Sequence, residues 1–227
     1  MPKARLQPEA RASARGKARS IVRFPFEFDD EREAILRAAR SVAVLDFNPV
    51  GTAGRATAYL SGPATLTTAG HAVRDDAGAP MEPALFELVV ARFFVRDASG
   101  EAVGAVLARP VPDSLRFEDG VDVASFDVTF VLGEPPPPLE LDDPALDEPV
   151  AVVTHGHAAT LRLCSAFGRV HAVEGRSVIY DCDIHHGASG APIFNARWRV
   201  IATHARGVDD GPPPLKEGVA PAGAPNP

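Results

Sequence analysis

The sequence predicts an all-β protein built of two units, and three observations carry that expectation. Short apolar runs rich in β-branched and aromatic residues recur at roughly ten-residue spacing with turn signals between them, the pattern of a sandwich or barrel. The 19 glycines and 22 prolines favour many short elements joined by turns over long helices. Midway, Glu134-Pro135-Pro136-Pro137-Pro138 interrupts the pattern. Four successive prolines cannot continue a sheet and make a semi-rigid spacer. A chain of 227 residues is long enough for two such units with self-supporting cores.

Residues 1–27 read as a disordered arm. Within residues 1–25, seven basic side chains stand against Glu9 alone, whereas the whole chain carries a net charge of −7. A solvated tail is the preferred reading of this arm over a nucleic-acid contact, because no aromatic residue is interleaved for stacking. The acidic remainder argues against a nucleic-acid role for the folded part. Residues 28–134 form the first unit. Asp29 or Asp30 caps a short helix, EREAILRAARS, with Ile35, Leu36 and Ala39 on one side. Strands follow at Ser41 to Phe47, at Thr57 to Ser61 and, after a Gly62-Pro63 turn, at Ala64 to Thr68. Ala84 to Val95, Ala102 to Ala108 and Val123 to Leu132 continue the series. Residues 135–148 are the Pro-rich, acidic linker. The second unit, residues 149–207, contains runs at Pro149 to Thr154, Leu161 to Ser165, Gly168 to Val173, Ser177 to Cys182, Ile193-Phe194 and Arg199 to His204. Residues 208–227, rich in Pro, Gly and Ala, read as a disordered tail.

Composition narrows the class further. Hydrophobic residues at 45% and charged residues at 23% suit a globular protein, and no apolar run reaches the roughly 18 residues of a membrane span. The two cysteines, Cys164 and Cys182, make neither a disulfide framework nor a CxxC metal pair, and two buried free thiols are the preferred reading. The basic N-terminus has no apolar stretch behind it, so the chain as written reads as intracellular, with export as the alternative.

Three residues have the chemistry of nucleophilic catalysis. Ser189 lies in Gly187-Ala188-Ser189-Gly190-Ala191-Pro192, where small neighbours let a substrate backbone approach and let successive amides point one way. His71 ends an apolar strand, LTTAGH, held by the sheet yet open on one side, as a general base should be. Asp127 is a carboxylate within the apolar run FDVTFV, and burial there is costly without a hydrogen-bond partner such as an imidazole.

With these residues in order, the chain resembles the trypsin-like (chymotrypsin-fold) serine peptidases, most closely their bacterial glutamyl-endopeptidase branch. LTTAGH looks like that branch's LTAGHC motif, FDVTFV like its D-(I/V)-A-hydrophobic motif, and YDCDIHHGASGAPIFN like its serine motif. The resemblance spans about residues 42–207. It implies two packed six-stranded antiparallel β-barrels with His71 and Asp127 from the first and Ser189 from the second. It also implies an oxyanion hole from the Gly187 and Ser189 amides, a peptide or protein substrate, and no cofactor or metal. His204 matches the histidine that glutamate-specific members use against the substrate carboxylate, while Ile184 stands where those members carry a hydroxyl. Asp183, which could suggest a basic-residue pocket, is discounted because the glutamyl branch commonly has an aspartate there.

The departures set further expectations. Ala72 replaces a cysteine, removing a barrel-stapling disulfide. Ala188 replaces the aspartate that pairs with a new N-terminal amine in pancreatic-type enzymes. Ala205 replaces a serine that bonds the triad aspartate. Nothing after Gly207 reads as the remaining strand or helix, which predicts an incomplete second barrel or a truncated chain. For His155, His157, His185, His186 and His204, surface or cleft-lining roles are preferred to zinc binding, since no carboxylate or cysteine stands at ligand spacing. An α/β-hydrolase is disfavoured, because its elbow is G-x-S-x-G and its histidine follows the serine. A serine endopeptidase is thus expected, with a catalytically inactive binding or regulatory module of the same fold as the alternative.

Overall fold

A computed structural model describes residues 31–47, 55–155, 163–184, 187–209 and 215–222. The basic arm, His157, His185 and His186 lie outside the described residues. The chain enters through helix α1 (Glu31–Ala39) and strand β1 (Val42–Asp46). It continues through β2 (Arg55–Gly62), β3 (Thr65–Ala69), a 3-10 turn over Gly70–Val73, helix α2 (Pro83–Phe86), β4 (Val90–Arg96), β5 (Ala102–Pro110), β6 (Arg116–Phe117) and β7 (Val123–Leu132). The strands pair in the order β3-β2-β1-β4-β5-β7, and antiparallel β3–β7 pairing closes the ring. The short β6 pairs with β7 as well.

Alternation decides what faces inward. Along β7, Ala124, Phe126 and Val128 enter the core, and the residues between them face out, as the two-residue period of a strand demands. Leu45, Leu60, Leu66, Phe93 and Phe126 fill the first barrel, with the Phe86 ring set edge-on to Phe126 at 5.0 Å between centroids. Each such side chain contributes about 1.5–3 kcal/mol by leaving water.

The second barrel consists of β8 (Pro149–His155), β9 (Leu163–Glu174), β10 (Ser177–Asp181), β11 (Pro192–Phe194), β12 (Val200–Asp209) and β13 (Leu215–Val219). It closes in the order β10-β13-β12-β11-β8-β9. Both barrels therefore have six strands, as the resemblance implies.

The structure corrects the expectation of a disordered tail and an incomplete barrel. Leu215–Val219 is the closing strand, bonded to β10 on one side and β12 on the other. Its sequence, LKEGV, has little strand character, and two neighbouring edges impose the conformation. The run before Val95 also differs, since Pro83–Phe86 is a helical turn and the strand starts only at Val90. The two runs around Gly168 are one continuous strand, with Gly168 paired to Val150.

The barrels share a third core. Ala38, Ala39, Val42 and Tyr59 from the first pack against Ala151, Val153, Phe194 and Val200 from the second. The Tyr59 hydroxyl bonds Thr203 Oγ1 at 2.9 Å inside this layer. His155 rivets it too. Its Nε2 donates to the Val42 carbonyl at 2.9 Å and its Nδ1 accepts from Arg96 at 3.0 Å. Burial lowers the His155 pKa to about 4, so this ring is a neutral structural group. The linker is a strap across both barrels. Ser41 Oγ donates to the Pro137 carbonyl, the Leu139 amide bonds Leu60, and the Asp142 amide bonds Val200.

Candidate active site

Strand β3 delivers the histidine. After Ala69 the chain leaves the sheet and tightens into the 3-10 turn, so His71 projects from the rim with half its side chain exposed. Its Nδ1 lies 2.6 Å from Oδ2 of Asp122, while Asp122 Oδ1 accepts the His71 main-chain amide at 2.7 Å. The Asp122 carbonyl in turn accepts the Gly70 amide at 3.0 Å. An ionised carboxylate only accepts, so the imidazole proton sits on Nδ1 and Nε2 keeps its lone pair. Gly70 makes room for this contact, because a β-carbon there would fall 2.9 Å from Asp122 Oδ1.

The electrostatics follow from that contact. The hydrogen bond from Asp122 raises the His71 pKa above its ordinary value of 6.5, with burial opposing and the Asp122 charge assisting. For Asp122, burial pushes the pKa up, yet the bonds and charge of His71 outweigh it and the net shift is downward.

Asp127 is not the partner of His71, which corrects the sequence expectation. The physical reason is the strand's parity. Phe126 and Val128 occupy the core, so Asp127 must face out. There Thr65 Oγ1 donates to its Oδ1 at 2.9 Å and Arg116 Nη2 lies 3.1 Å from the same oxygen. In the β3–β7 ladder Asp127 stands opposite Thr65, whereas Val123, next to Asp122, stands opposite Ala69. At about 3.3 Å per residue, the two carboxylates sit at opposite ends of a stretch of roughly 16 Å. A signal for Asp122 was present, since Asp122-Val123-Ala124-Ser125 fits the D-(I/V)-A start of the aspartate motif and Asp127-Val128-Thr129 does not.

Ser189 comes from the turn between β10 and β11. Gly187 and Gly190 both have left-handed φ, +91° and +85°, which a side chain would strain. A β-carbon on Gly190 would also strike the Thr57 carbonyl oxygen at 2.1 Å. The turn is tied across the barrel interface. The Thr57 amide donates to the Ser189 carbonyl and Thr57 Oγ1 donates to the Gly187 carbonyl, both at 2.8 Å. From its own barrel, the Gly190 amide bonds the His204 carbonyl at 2.8 Å. Among the described residues, neither the Gly187 nor the Ser189 amide is used in a main-chain bond outside the strands.

Ser189 and His71 line one cleft of about 470 Å³, with Arg55, Ala56, Arg74 and Leu85 among its walls. A second cleft of about 690 Å³ borders Asp122 on the other side, between the barrels. Ala205 is buried against Val123 and Val219 there, and the His71 amide holds the Asp122 oxygen that lacks a serine partner.

His204 and Ile184 fall in the second barrel. Ile184 is partly buried and packs against the core cluster that includes Ala188. The His204 side chain is 7% exposed, and its Nδ1 lies 2.8 Å from the Tyr180 hydroxyl. Burial, assisted by the nearby Lys216 charge, lowers its pKa to about 4. A neutral His204 supplies no positive charge at neutral pH. Cys182 is a buried free thiol whose pKa burial raises far above the ordinary range.

A profile described as a trypsin-like peptidase domain matches residues 56–202. No curated protein sequence matches the chain. Among solved structures, a Glu endopeptidase in complex with MPD superposes with a TM-score of 0.63 at 15% identity, covering 82% of this chain and 86% of that one. The serine endoprotease from Yersinia pestis gives 0.63 at 14% identity, covering 87% and 63%. A human pathogenic astrovirus serine protease gives 0.55 at 20% identity, covering 82% and 91%. At these identities the likeness is one of fold.

Proposed function

Given that this chain belongs to the trypsin-like peptidase domain family, we propose that it is a serine endopeptidase whose triad is His71, Asp122 and Ser189. The observation that carries this reading is the 2.6 Å contact between His71 Nδ1 and Asp122, on the rim of a cleft that Ser189 also lines. His71 Nε2 takes the Ser189 proton as Oγ attacks the scissile carbonyl, then returns it to the leaving amine. Asp122 fixes the tautomer and stabilises the imidazolium. The Gly187 and Ser189 amides receive the oxyanion, and their turn is already held on both sides, so little reorganisation accompanies the reaction. The substrate is a peptide chain. The side chain preceding the scissile bond enters beside Ile184 and His204, and an acidic residue is preferred there.

A serine-reactive fluorophosphonate tests the assignment. The wild-type protein and Asp127→Asn should label, whereas Ser189→Ala should not and Asp122→Asn should label slowly. Absence of labelling in folded wild-type protein would favour the inactive module instead. Because His71 must be neutral to act, and Asp122 raises its pKa, kcat/KM should climb with pH through a midpoint above 6.5. In Asp122→Asn that midpoint should move down.

A further inference from the structure

We propose that Thr57 of the first barrel is a positioning residue for the oxyanion-binding turn of the second, acting through its hydroxyl on the Gly187 carbonyl. This rests on the peptidase reading and names a further residue that serves the same site.

Thr57 lies on β2 where the sheet runs out. The β2–β3 ladder ends at Ala58 and Thr68, as β3 turns off after Ala69 toward His71. The next β2 amide, that of Thr57, donates instead to the Ser189 carbonyl at 2.8 Å. The Thr57 hydroxyl donates to the Gly187 carbonyl at 2.8 Å, and the Thr57 carbonyl accepts the Thr68 hydroxyl at 2.7 Å. All three polar groups of this residue, which is 1% exposed, are thereby used. Two of them go to the Ser189 turn and one to the strand that delivers His71.

The geometry of the turn shows what the two bonds fix. A peptide unit is a rigid plane, and in the trans form its N–H points opposite to its C=O. The Ala188 carbonyl accepts the Ala191 amide at 2.7 Å, so the Ser189 amide, on the same plane, points to the other side of the turn. The planes before and after that one carry the Gly187 and Ser189 carbonyls, the two that Thr57 holds. The later plane has a second anchor from its own barrel, since the Gly190 amide donates to the His204 carbonyl at 2.8 Å. The earlier plane is held by the Thr57 hydroxyl, and it hinges on Gly187, whose φ of +91° and missing side chain let it turn at little cost. Loss of the hydroxyl therefore releases that plane, and with it the aim of the Gly187 and Ser189 amides at the oxyanion. Bulk at position 57 is no substitute. Valine fills nearly the same volume yet leaves the carbonyl without its donor.

Thr57→Val and Thr57→Ser separate the hydroxyl from the rest of the residue, because the main-chain bond to Ser189 survives in both. On a fluorogenic peptide with Glu before the scissile bond, Thr57→Val should lower kcat by about 10 to 10², less than the roughly 10²–10³ that loss of an oxyanion donor costs. KM should stay within about two-fold, as for an interaction that counts only in the transition state. The rate of fluorophosphonate labelling should fall in parallel, while its pH midpoint, set by His71 and Asp122, stays where it is. Thr57→Ser should recover most of both rates. Wild-type rates in Thr57→Val, a loss carried by KM, a displaced pH midpoint, or a Thr57→Ser no better than Thr57→Val would each overturn the role of the hydroxyl. Hydrogen exchange of the Ala191 amide reads the turn without any turnover. It should quicken in Thr57→Val and not in Thr57→Ser, with the amides of the β8–β11 ladder unchanged. Unchanged Ala191 exchange would also overturn the proposal. A folded wild-type protein that neither labels nor cleaves, but whose Ala191 exchange responds as stated, would sink the peptidase reading and leave Thr57 as the residue that sets the turn.

Discussion

Asp122 and Asp127 stand five residues apart around the first half of β7, and they live in opposite circumstances. Asp122 closes the barrel rim where β7 begins, half-buried, spending both oxygens on His71. Asp127 is 44% exposed and bonds Arg116 and Thr65 on the outer face. Chemistry alone does not tell them apart, because each is an ionised carboxylate with its pKa held down by partners. Position does. A strand end reaches beyond the sheet toward a neighbouring turn, whereas a mid-strand residue of the wrong parity is committed to solvent.

That contrast can be tested from the largest expected effect downward. Ser189→Ala sets the floor, with a loss in kcat of about 10⁶ if the three residues act as a unit. Adding Asp122→Asn to it should cost almost nothing further. Alone, Asp122→Asn should lower kcat by about 10⁴, because the amide favours the wrong tautomer of His71, and comparison of steady-state rates checks this. Gly70→Ala moves the carboxylate without removing it, and a displacement near 1 Å is expected to cost on the order of 10² in kcat. Asp127→Asn should change kcat/KM less than about two-fold. Its effect on stability should stay below about 1 kcal/mol, since solvent screens an exposed pair. The Asp127 pKa is lowered by Arg116 and then Thr65, so the small stabilisation is present above the ordinary carboxylate range and fades as pH falls. Urea melts at pH 7 and pH 3 would show it, and a 10⁴ loss of rate in Asp127→Asn would reverse the assignment.

The sequence made the fold class legible because strand alternation and the proline break are local signals. Val123–Leu132 is a strand with the expected ends. The same alternation could have excluded Asp127, since Ala124, Phe126 and Val128 read as one face. The family motif drew attention to the carboxylate inside the apolar run when the one just before it fits better. Leu215–Val219 was hidden for a different reason. Lys, Glu and Gly have weak strand preference, and only the gap between β10 and β12 makes them a strand. Ser189 and His71 were visible as residue types in context, but the Thr57 ties to the Ser189 turn are contacts across the interface that no local pattern carries.

Those ties have a dynamic consequence. The Thr57 amide belongs to one barrel, yet its acceptor is the Ser189 carbonyl of the other. Its exchange with solvent deuterium therefore requires the Ser189 turn to lift away or the first barrel to open. Under conditions where the neighbouring β2 amides stay protected, the Thr57 exchange rate becomes a clock for excursions of the turn alone. A covalent acyl group on Ser189 should slow that clock.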